Sequence, residues 1–92
     1  MKREIGNIIQ TFRISCGFKQ VYMAYNLGIS TQAYANLEHG RSDLNTGKLE
    51  QIASLYKIKP HQIIILAEEL NKHKNLELIK NSISSILNSI RI

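Results

Sequence analysis

The stretch from Gln20 to Gly40 restricts the possible folds of this chain more than any other. Val21, Met23, Ala24 and Leu27 recur at helical spacing and stop at Gly28. A second run, about Thr31 to His39, follows Ser30, a residue type that caps helix starts well, and Gly40 ends it. Only Gly28, Ile29 and Ser30 separate the two runs, so the chain must turn a sharp corner there. Gly28 supplies the left-handed backbone that such a corner needs. Ala24 is small enough for two helices to approach where they cross. Met23, Leu27, Ile29, Tyr34 and Leu37 then take inner faces, and Thr31, Gln32 and Asn36 point outward near the exposed N-terminal half of the second helix.

The flanking sequence is helical too. Ile5, Ile8, Ile9 and Phe12 make one apolar stripe, with Gly17 as its stop. Asn45 or Thr46 can cap a fourth helix carrying Leu49, Ile52, Ala53, Leu55 and Tyr56. Pro60 suits the first position of a fifth, from which Ile63, Ile64 and Leu66 pack inward. Residues 71–75 form a polar break, read as a hinge. Beyond it Leu76, Ile79, Ile83, Ile86 and Ile90 step by three and four, the spacing of a heptad seam, with Leu87 beside it. No strand pattern and no internal repeat is evident. The expected division is one helical unit over 1–70 built around the two-helix corner, a hinge over 71–75 and an amphipathic helix over 76–92.

Charge and chemistry narrow the function. Twelve Lys and Arg stand against seven Asp and Glu, a net +5 over 92 residues. The excess is concentrated before residue 66, which favours a polyanionic partner, nucleic acid first. Cys16 is the single cysteine, so neither an intrachain disulfide nor a cysteine zinc site is available, and the chain suits a reducing cytoplasm. His39, His61 and His73 lack metal-ligand spacing. No paired acids or catalytic triad suggest an enzyme, no cofactor is implied, and the longest apolar run is too short for a membrane span. Short polar side chains on an exposed helix suit base edges in a major groove, where Gln and Asn pair bidentately with adenine.

In order along the chain, Ile5-Gly6, Phe12-Arg13, Gly17-Phe18-Lys19-Gln20, Met23-Ala24, Leu27-Gly28-Ile29-Ser30, Leu37-Glu38-His39-Gly40, Leu49 and Ile52-Ala53 resemble the Cro/C1-repressor (XRE-like) helix-turn-helix family. The resemblance covers about residues 5–66. It implies an all-α fold, a compact five-helix repressor-like bundle whose third helix enters the major groove, here followed by the C-terminal amphipathic helix. It also implies roles. Thr31, Gln32 and Asn36 would read bases. Lys19 and Gln20, before and at the start of the second helix, and His39, Arg41 and Ser42, after the third, would meet phosphates. Arg13 and Glu38 match a pair that some members join by a salt bridge. Three positions depart from the family pattern. Lys19 replaces a capping Ser or Thr, Tyr34 replaces Val or Ile, and Asp43 puts an acid where many members have Pro.

The expected function is a sequence-specific transcriptional regulator, binding double-stranded DNA as a homodimer. The alternative is an antitoxin that holds a small protein toxin through its C-terminal segment and autoregulates through the helix-turn-helix. Leu76, Ile79, Ile83, Ile86 and Ile90 are the expected self-association seam, because five helices already complete the family core. Folding of that stripe back onto its own domain is the other outcome.

Overall fold

The computed structural model describes residues 1–90. It holds six helices in the order α1 Lys2–Ser15, α2 Gln20–Leu27, α3 Thr31–Glu38, α4 Thr46–Leu55, α5 Pro60–His73 and α6 Leu76–Ile90. Among the described residues there are no strands. The fold is thus the all-helical bundle expected from the spacing of the apolar residues.

α1 is the central post. It packs against α5 on one side, α3 on another and α6 on a third. Its stripe of Ile8, Ile9 and Phe12 is fully buried, and the Phe12 ring stacks on Tyr56 at 4.9 Å between centroids. Gly6 makes the α1–α3 approach possible. A Cβ there would press on the Glu38 carbonyl oxygen and lie 2.7 Å from that of Leu37. Both neighbours are backbone and cannot swing aside, so only glycine fits.

The connections follow local chemistry. The Asn45 side chain accepts from the Lys48 amide at 2.8 Å and so starts α4. Pro60 opens α5, and the Gln62 side chain reaches back to the Lys59 amide. α5 runs on through His73, so the polar stretch Asn71-Lys72-His73 belongs to its exposed last turn. Only Lys74 and Asn75 lie between α5 and α6, and Lys74 takes a left-handed φ of 56° to make the turn.

α6 folds back onto the bundle, against α1 and α5. Ile79, Ile83 and Leu87 join the common core, Leu76 and Ile86 pack against it, and Ile90 is half-buried. The stripe thus takes the other course the sequence left open, folding onto its own domain, and its central side chains, Ile79 and Ile83, are buried within the chain. The physical reason is that the α1–α5 groove offers the same apolar burial with no loss of translational freedom. Arg91 and Ile92, the last two residues of the expected 76–92 segment, lie outside the described residues.

Candidate nucleic-acid interface

α2 and α3, eight residues each, meet at the corner foreseen at Gly28. Gly28 has φ 68°, and the Ile29 amide closes back on the Ala24 carbonyl at 3.1 Å. A second clamp comes from α4. Lys48 Nζ donates to the Leu27 carbonyl at 2.6 Å, placing a cation at the negative end of α2. Sequence reasoning missed Lys48, because a contact 21 residues away leaves no periodic mark. On the far side of the corner, Ser30 Oγ accepts from the Ala33 amide at 3.0 Å and caps α3.

α3 is two-faced. Tyr34, Leu37 and Glu38 are buried, while Thr31 and Gln32 are exposed and Ala35 and Asn36 half-buried. Gln32 Nε2 donates to Asn36 Oδ1 at 3.1 Å, which joins the two amides one turn apart. Gln32 Oε1 and the Asn36 amide hydrogens stay available as an acceptor and donors. That is the pattern complementary to the N6 donor and N7 acceptor of adenine. The small side chains of Ala33 and Ala35 add little bulk to the helix beside them.

Beneath this face lies a buried polar knot. Arg13 Nε donates to Glu38 Oε2 at 2.6 Å and Nη2 donates to Oε1 at 3.2 Å. Gln20 Nε2 donates to the same Oε1 at 3.0 Å, and Arg13 Nη1 donates to the Phe18 carbonyl at 3.0 Å. The Glu38 side chain has no exposed surface and that of Arg13 keeps 13%. The bidentate bond to Glu38 holds the guanidinium above its ordinary pKa. One carboxylate therefore ties α1, the start of α2 and the end of α3 into one body. Tyr34 adds a fully buried hydroxyl that finds no hydrogen-bond partner among the described residues. Burial first, and the Glu38 carboxylate second, push its pKa far up, so the phenol stays protonated.

Cationic and polar side chains flank both ends of the face. Lys19 is exposed before α2, whose first turn has no capping side chain, so its free amides point outward with the positive end of the helix dipole. Gln20 spends one amide hydrogen on Glu38 and keeps the other. At the opposite end His39 and Arg41 are exposed and Ser42 is half-buried. His39 Nδ1 lies 2.7 Å from the Ala35 carbonyl and donates to it, which leaves the Nε2 edge of the exposed ring facing outward.

Among the described residues, no group of His, Cys, Asp or Glu side chains is placed to hold a metal ion, and no helix is long and apolar enough to cross a membrane. A family model described as helix-turn-helix matches residues 9–63, from within α1 into α5. No curated protein and no solved structure gave a match.

Proposed function

The chain belongs to the Cro/C1-type helix-turn-helix family, and from that premise we propose that it is a sequence-specific transcriptional regulator that binds double-stranded DNA as a homodimer on a two-fold operator. The observation that carries this reading is the outward pair of amides on α3, Gln32 and Asn36, standing on a helix locked from below by Glu38. α3 enters the major groove, with Thr31, Gln32 and Asn36 toward base edges. Lys19, Gln20, His39, Arg41 and Ser42 meet the phosphates at its two ends. Residues 1–70 are the DNA-binding unit, and α6 braces it.

The small size of the reading head supports the homodimer reading. One eight-residue helix reaches few base pairs, and two copies double the site. Dimeric proteins of this kind set their recognition helices about 34–36 Å apart on successive major grooves. With the α6 stripe buried, pairing uses other surface.

Selection of bound duplexes from a random pool tests the proposal. The expected result is an enriched site of two inverted halves spaced by about one helical turn. A single enriched half would contradict the dimer, and a pool without enrichment would contradict sequence-specific binding altogether.

A further inference from the structure

We propose that Lys2, in the first turn of α1, is a further phosphate contact of the DNA interface, and that Asp43 holds its ammonium back until DNA arrives. This inference rests on the DNA-binding reading above and extends it to an element that the helix-turn-helix itself does not include.

Three observations carry it. The first is the approach of two chain segments. Gly40 ends the recognition helix with φ 71°, and a Cβ there would lie 2.8 Å from the Arg3 Cα and 3.3 Å from the Lys2 carbonyl carbon. The first turn of α1 therefore sits in contact with the start of the loop that carries Arg41 and Ser42. The second is the direction of the Lys2 side chain. Its Nζ lies 3.9 Å from Asp43 Oδ1, one residue beyond Ser42. Arg3 and Glu4, on the same turn, instead line a groove with Leu70, Lys74 and Leu76, so Lys2 is the cation of that turn turned toward the interface loop. The third is exposure. The Lys2 side chain is 52% exposed and that of Asp43 80%, so the pair stands in water rather than in the core.

Chemistry then gives the order of events. An exposed pair at this separation is weak and screened by salt. A phosphate brought to Arg41 and Ser42 offers Lys2 a better anion, because the duplex concentrates negative charge and releases counterions on contact. Lys2 exchanges the carboxylate for the phosphate. The cost of that exchange is small, and it lowers affinity by a modest factor that depends on Lys2 being present.

The test is a double-mutant cycle on the full chain, with affinity measured against salt on the selected duplex and on an unrelated one. Lys2→Gln is expected to weaken both duplexes by the same factor and to reduce the slope of log K against log salt by about one per protomer. Asp43→Asn is expected to strengthen binding, and by a clearly smaller factor when Lys2→Gln is also present. An unchanged slope in Lys2→Gln overturns the contact. An equal gain from Asp43→Asn in both backgrounds overturns the restraint, since the effect of Asp43 would then be independent of Lys2. A wild-type chain that binds neither duplex overturns the DNA reading itself, which separates the two failures.

Discussion

Glu38 keeps its carboxylate out of water, held by two nitrogens of Arg13 and one of Gln20. Glu38→Ala leaves the guanidinium with the Phe18 carbonyl alone. Breaking one side of a fully buried pair costs about 3–5 kcal/mol, and the remaining exposure of Arg13 places this case toward the low end. At about 4–8 °C per kcal/mol for a domain of this size, the melting temperature should fall by more than about 10 °C. Circular dichroism on heating measures it, and an unchanged midpoint would move the pair to the solvated surface. Tyr34 is the counter-case. Its buried hydroxyl has no partner among the described residues, and an unsatisfied buried group costs about 1–3 kcal/mol. Tyr34→Phe should therefore melt no lower than wild type, and higher if the hydroxyl carries that cost. The pH dependence has a definite sign. The folded phenol has its pKa raised above the unfolded one, so its contribution is fully present below about pH 10 and is lost as pH rises above it. Tyr34→Phe should lose less stability than wild type over that alkaline window.

At the scale of elements, α6 packs on α1 and α5 rather than standing apart from them. Ile83 is fully buried between α6 and the rest of the bundle. Ile83→Ala should cost about 2–5 kcal/mol in denaturant unfolding, and Ile86→Ala, which is only half-buried, less. Equal and small effects would mean that α6 is not docked. The six helices were legible because their apolar residues keep to one face and because Gly28, Ser30, Asn45 and Pro60 are residues whose backbone or capping chemistry marks a boundary. The destination of the α6 stripe was not legible. A face with three- and four-residue spacing looks the same whether a second copy or its own domain covers it. Polarity misled at Asn71-Lys72-His73, which are polar because their turn of α5 faces water. On the candidate face, the outward set Thr31, Gln32 and Asn36 follows from helical geometry. The bonds from Lys48 to Leu27 and from Gln20 to Glu38 bring together residues 21 and 18 apart, and no local pattern announces them.

The whole molecule has a radius of gyration of 12.1 Å, close to the ~12 Å of a compact domain of this length. α6 is therefore part of one body and does not project as an arm. In that body α1 supports α3 twice, through Gly6 packed on its C-terminal end and through Arg13 bonded to Glu38. The consequence is an outer face of α3 held rigidly from below; on the proposed reading, loss of a single side chain from that face should alter choice of sequence without disturbing the fold. The affinities of wild type and Gln32→Ala for the selected duplex and for an unrelated duplex, at one salt concentration, test this most directly. Loss of a base contact worth about 1–3 kcal/mol should weaken the selected duplex by roughly 5- to 150-fold and relax preference at one base position, with little change on the unrelated duplex. An equal loss on both duplexes, or no loss on either, would contradict the reading of DNA sequence by α3.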